Sequence, residues 1–293
     1  MNNKYFLFAL VAIVTIGVVV LFAEEDTQEE VTSSEVQSGL RLSDIHGLEV
    51  DIVDPEKIYL ANHQGLYMQE SDGIIKKVGT ISDDFMGFSV DPIDPATFYA
   101  SGHPKTGGNF GITKTINNGQ SWNDVSEGLG GPVDFHTMAV DNSDANIIYG
   151  YYQGALQRTI DGGQTWQYAK NAPSQIIQLS AGSEKNSVYA ATTNGLHISN
   201  DSGETWSILR LADNTVVAVE VNQKNNSILA STVDQGLLQS KDNGKTWQEV
   251  DFEKSETVLY IATSPSEESR SYLATKTLKI YQSDDGGETW SLR

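Results

Sequence analysis

Three short phrases in this chain pair an aspartate with a residue that can bind metal. They read Asp44-Ile45-His46, Asp84-Phe85-Met86 and Asp134-Phe135-His136, and two more histidines, His63 and His103, follow the first two phrases in equivalent places. Imidazoles beside carboxylates and a thioether are metal-ligand chemistry. Histidine with methionine suits copper, and histidine with aspartate suits zinc or another divalent ion. His46, His63, His103, His136 and Met86 are therefore the candidate ligands of a divalent or copper ion. The carboxylates of Asp44, Asp83, Asp84 and Asp134 complete the expected ligand face. A glycosidase needs two carboxylates flanking one bond, and Asp84 and Asp134 are the candidates for that work. Each group also has a plainer use: a histidine can cap a backbone carbonyl, and an aspartate can cap a strand start. His197 falls away from the set.

These residues can act together only if the fold gathers separated segments, and the tryptophans show how it does. All five stand in one repeated phrase, at spacings of 44, 40, 41 and 43 residues. The copies are Asn117-Asn118-Gly119-Gln120-Ser121-Trp122, Asp161-Gly162-Gly163-Gln164-Thr165-Trp166, Asp201-Ser202-Gly203-Glu204-Thr205-Trp206, Asp242-Asn243-Gly244-Lys245-Thr246-Trp247 and Asp285-Gly286-Gly287-Glu288-Thr289-Trp290. A fixed period in this range marks a repeat architecture. The phrase reads as a structural turn: the aspartate accepts nearby backbone N–H groups, the glycine permits a left-handed backbone, and the tryptophan packs on the neighbouring hairpin.

Between the phrases lie short β-like runs punctuated by Gly, Asn, Asp and Pro. Six units align. First runs fall at 46–52, 86–90, 136–140, 176–179, 216–221 and 258–262; second runs fall at 58–61, 98–101, 147–150, 188–191, 228–231 and 272–275. A Gly-Leu-like step opens a third strand, and the tryptophan turn leads into a fourth. The first unit keeps a reduced turn, Ser71-Asp72-Gly73, without the tryptophan. Four antiparallel strands per unit predict an all-β six-bladed β-propeller over residues 42–293. The chain stops as the sixth unit's fourth strand is due, so Leu40–Leu42 is expected to help close the ring. Alternation puts the start of strand one and the end of strand two at one end of each blade. The histidines of units one to three then meet at one mouth of the channel, and the tryptophan turns lie on the opposite face.

The repeated phrase resembles the Asp-box, or BNR repeat, of sialidases, sortilin-type receptors and photosystem II assembly factors. The wording of His46-Gly47-Leu48, Met86-Gly87-Phe88, Ser101-Gly102-His103-Pro104 and Asp134-Phe135-His136 resembles bacterial extracytoplasmic BNR-repeat proteins labelled glycosyl hydrolases. The resemblance covers about residues 42–293 and implies a propeller with boxes on the face opposite its ligand site. Sialidase chemistry would require three arginines around a carboxylate. None of Arg41, Arg158, Arg210, Arg270 and Arg293 is placed for that, so the hydrolase reading is of a non-sialidase kind.

Composition narrows the partners. With 39 acidic against 19 basic residues, a net charge of −20 and a pI near 4.4, the surface repels phosphate backbones and excludes nucleic acid. There is no cysteine, hence no disulfide, thiol nucleophile or thiolate metal site. Residues 5–23 form an uncharged apolar run after Lys4 and before Glu24-Glu25-Asp26, long enough to span a bilayer. Lys4 favours a cytoplasmic N-terminus. The expected layout is a signal anchor or transmembrane helix at 1–23, an acidic disordered tether at 24–41, and the propeller at 42–293 outside the cell membrane. Secretion after signal cleavage is the alternative. The expected partners are the membrane, through that helix, and a protein or glycan ligand.

Overall fold

The computed structural model describes residues 45–293. The expected anchor, tether and boundary at residue 42, together with Arg41 and Asp44, lie outside the described residues. Within them the chain is a six-bladed propeller, each blade a four-stranded antiparallel sheet of consecutive strands. The innermost strands are Ile45–Val50, Asp84–Val90, Thr137–Val140, Ile176–Ala181, Val216–Val221 and Val258–Thr263. Each packs against the next around the channel, and the first packs against the last.

The sixth blade supplies its own fourth strand. Its outer strand is Ser291–Leu292, paired to Ile280–Ser283, which gives the blade four strands among the described residues; the expected part of Leu40–Leu42 lies outside them. That strand is two residues long, as are Gln167–Tyr168 and Gln248–Glu249, and all three are polar or exposed. An edge that short carries no alternation to read.

The core sits in the seams between blades. Tyr59, Leu66 and Val78 of blade one pack on Phe85, Phe88 and Phe98 of blade two, with Trp122 against them. Trp166, Trp206, Trp247 and Trp290 take the same place in later seams. Trp166 also donates its indole N–H toward Ser126 Oγ of the preceding blade at 3.0 Å. The tryptophan is thus a seam filler, as its repetition implied.

The box turn is closed by its own polar groups. In blade four, Asp201 Oδ1 accepts the Thr205 N–H at 2.8 Å and Oδ2 accepts the Thr205 hydroxyl at 2.6 Å. Ser199, two residues before the aspartate, donates to Asp201 and accepts the Gly203 N–H at 2.8 Å. Thr115, Thr159, Ser240 and Ser283 serve the other turns in this way, an extension of the phrase not read from the sequence. These bonds hold Asp161, Asp201 and Asp242 down to about 2, and Asp285 reaches about 2 against the opposing effect of its burial.

Candidate functional site

Five of the six innermost strands are broken by a β-bulge at one place, near the strand start. The register slips at 45/47, 85/87, 176/178, 216/218 and 258/260. The extra residue is His46, Met86, Ile177, Val217 or Leu259. A bulge leaves its residue unpaired and re-aims the side chain. Blade three reaches the same level differently: its strand begins at Thr137, and His136 donates its backbone N–H to Tyr151 O at 3.3 Å.

From these starts, and from the ends of the second strands, a run of alternating imidazoles and carboxylates crosses blades one to three. His46 Nε2 lies 3.1 Å from His63 Nε2. His63 Nδ1 makes a short hydrogen bond with Asp84 Oδ2. His103 Nε2 stands between two carboxylates, 3.8 Å from Asp84 Oδ2 and 3.7 Å from Asp134 Oδ2. His136 Nε2 closes the run at 3.1 Å from Asp134 Oδ2. That hydrogen bond, followed by the charge of Asp134, raises the His136 pKa against the opposing effect of burial.

Two glycines make this crowding possible. Gly102 pairs with Phe85, so that His103 falls directly opposite Asp84. A Cβ on Gly102 would sit 2.0 Å from the Asp84 carbonyl oxygen. A Cβ on Gly87 would meet the Phe135 carbonyl oxygen at 2.4 Å, so blades two and three also approach here over bare backbone. Ser101 Oγ accepts the buried Phe135 N–H at 2.9 Å and fixes the Asp134-Phe135-His136 segment to blade two.

Both aspartates are buried, at 9% and 7% exposure, yet Asp84 Oδ1 and Asp134 Oδ1 have no hydrogen-bond partner. A buried carboxylate oxygen left without a donor calls for an explanation. Donor atoms of His46, His63 and Asp84 all lie within 4.8 Å of one another, a grouping able to hold a metal ion. Among the described residues no such grouping of histidines and carboxylates includes His103 or His136, which flank the triad. Met86 occupies the equivalent bulge of blade two. Asp83 accepts the Lys105 N–H at 3.4 Å, below the 103–110 loop, and Asn109 ties that loop to Pro132 O and Tyr152 OH at 3.0 Å each.

The arginines face elsewhere. Arg158 bonds Ser202 O and pairs with Glu204, and Arg270 pairs with Glu56 and Asp284, all at the box end of the blades. Arg293 donates to Glu56 O. No arginine among the described residues enters the run of histidines and carboxylates. His197, in the third strand of blade four, is partly buried, and desolvation holds its pKa down.

Comparison with known proteins agrees with the Asp-box likeness. A family model described as sortilin, neurotensin receptor 3, matches residues 235–293. No curated protein matches the chain. Among solved structures it is similar to the GH74 xyloglucanase from Xanthomonas campestris, with 17% identity and a TM-score of 0.60. That match covers 85% of this chain and 45% of the other. A GH74 enzyme from Niastella koreensis gives 15% identity and a TM-score of 0.61, with the same coverages. This chain therefore spans less than half the length of those enzymes. A structure of YCF48 bound to D1 peptide gives 17% identity and a TM-score of 0.54, over 84% of this chain and 80% of that one. At such identities the likeness shows the fold alone.

Proposed function

We propose that this propeller is an extracytoplasmic binding or assembly module that recognises its ligand at the histidine mouth, through a divalent ion held by His46, His63 and Asp84. The observation that carries the reading is the triad itself, in which two imidazoles and a buried carboxylate with a spare oxygen converge from two blades. Donors at about 2.0–2.2 Å from a four-coordinate ion stand roughly 3.4 Å apart. His46 Nε2 is 3.1 Å from His63 Nε2 and 3.9 Å from Asp84 Oδ1, which brackets that spacing. Three protein ligands leave a fourth position for water or a ligand group, the pattern of an open zinc site. The nitrogen and oxygen donors suit zinc or another borderline ion, without the thioether that would favour copper(I). His103, Asp134 and His136 then form the flank against which a bound ligand lies. YCF48 in complex with a peptide is a precedent for a propeller of this size as a peptide-binding module.

In this reading the apolar run at 5–23 anchors the chain in the cell membrane, with the propeller outside. Recovery of the chain in the carbonate-washed membrane fraction, and digestion of its propeller by protease added to intact cells, are the expected results. Elemental analysis of the purified full-length chain tests the metal. About one zinc per chain is expected, reduced to background in His63→Ala and Asp84→Asn. A substoichiometric content that neither substitution changes would sink the metal-dependent reading.

The GH74 neighbours favour a second reading, a glycoside hydrolase that uses Asp84 and Asp134. The two carboxylates flank His103 with one unpartnered oxygen each, as a pair working on one bond would. Release of reducing ends from xyloglucan or another β-glucan, lost in both Asp84→Asn and Asp134→Asn, would establish it. A panel left intact by the wild type would remove it.

A further inference from the structure

Inside the channel stand two carboxyls that neither reading uses. Glu49 on blade one and Glu220 on blade five occupy the same register of their inner strands, within Leu48-Glu49-Val50 and Val219-Glu220-Val221. Both line two cavities of about 60 and 50 Å³ along the channel. Such volumes hold a few waters, since one needs roughly 10–15 Å³. Lumen water can reach the carboxyls, but protein surrounds them on all sides and desolvates them. The titratable groups lining these cavities, counted over all six inner strands, are Glu49, Glu220, His46, His136 and Tyr260, with no lysine or arginine among them.

Two carboxylates enclosed with no lysine or arginine beside them are costly, and a chain relieves the cost by neutralising one. The hydrogen bonds indicate which. Ser180 Oγ donates to Glu220 Oε2 at 2.9 Å and Thr263 Oγ1 donates to Glu220 Oε1 at 3.2 Å. Both oxygens of Glu220 thus accept from hydroxyls, an arrangement that suits the ionised form. Glu49 also has hydrogen bonds, from Ser89 and the backbone of Val90, that favour its ionised form, but unlike Glu220 it is held up by the facing charge of its partner carboxylate.

We propose that Glu49 and Glu220 form a proton-binding pair across the channel, holding one proton at neutral pH and keeping it on Glu49. The pair uses no group of the proposed metal triad: its only ligand is the proton, and its carboxyls come from blades on either side of blade six, although His46 and His136 line the same cavity. Releasing that proton leaves two negative charges in one enclosed lumen and loosens the ring.

Burial pushes Glu49 up to about 8, with the charge of Glu220 adding to it, and burial pushes Glu220 up to about 7. The ordinary value is 4.5, so between that pH and about 8 the folded chain binds protons that the unfolded chain releases. The stability this contributes is complete below pH 4.5 and is lost as pH rises through 7 to 8.

Infrared spectra of the full-length chain across pH test the pair. Expected is a protonated-carboxyl band at pH 7 that fades toward pH 9, is weakened in Glu49→Gln, and fades at lower pH in Glu220→Gln. Urea midpoints are expected to fall between pH 5 and pH 9 in the wild type and to flatten in Glu49→Gln, where about one proton fewer is taken up on folding. The wild-type spectrum suffices even if a variant fails to fold. A wild type without the band at pH 7, or a band unchanged in both variants, overturns the proposal.

Discussion

Each blade has two ends, and aspartates stand at both in opposite condition. At the box end the carboxylate is saturated: Asp161, Asp201, Asp242 and Asp285 each accept a threonine N–H and a threonine hydroxyl, along with a hydroxyl from the strand before. At the mouth, Asp84 and Asp134 keep one oxygen each with no donor at all, although they are far more buried. A closed carboxylate has spent its acceptors on the fold. An open one at higher burial raises the free energy of the fold, a cost that a ligand bound at the mouth would offset on the proposed reading. On that reading the same residue type is scaffold at one end and site at the other, and partner count rather than identity distinguishes them.

The largest expected effect breaks the comparison at the mouth. Asp84→Asn should weaken zinc binding by at least about 100-fold, roughly 2.7 kcal/mol, because it removes a ligand charge. In the metal-free chain it should leave the urea midpoint no lower, since the lost oxygen had no hydrogen-bond partner. A loss of stability as large as the loss of affinity would put Asp84 in the scaffold class with the box aspartates.

Next comes the scaffold end. A Cβ on Gly244 would lie 2.4 Å from Leu209 Cδ2 in a backbone held at φ +82°. Gly244→Ala should cost about 2–3 kcal/mol by urea unfolding and leave zinc affinity untouched. A change in affinity there would show that the two ends are coupled.

The smallest effect is the acid limb. The four box aspartates sit near 2 when folded, below their ordinary 3.8. The stability they contribute is complete above pH 4 and drains away as pH falls toward 2. Unfolding midpoints followed by circular dichroism should drop over that interval, and Asp201→Asn should flatten the drop in part. Identical curves for wild type and Asp201→Asn would leave the saturated turn without a role in acid stability.

Much of this was legible in the chain. Trp122 to Trp290 fixed the blade frame because one large side chain fills each seam, and a seam recurs once per blade. The mouth was legible by alignment: His46 and His136 occupy positions where blades four to six carry Ile177, Val217 and Leu259. What stayed hidden had physical reasons. Three outer strands are only two residues long and cannot alternate, which is why the sixth blade's own fourth strand, Ser291–Leu292, was not read from the chain. The split of the ligand set depends on where imidazole nitrogens point, and spacing does not carry that. Glu49 and Glu220 did leave a signal, a lone acid inside an apolar inner strand, but it reads as a solvent-facing position until the ring is closed.

The recurring bulge has one more consequence, for how such a ring changes over time. Because its residue is outside the hydrogen-bonded ladder, the slot tolerates histidine, methionine, isoleucine, valine or leucine without altering the blade around it. The propeller thus carries a set of interchangeable sockets around one opening. Specificity can be rewritten socket by socket while the sheets that hold them go on unaltered, and blades four to six, filled with aliphatics, are the sockets still unwritten.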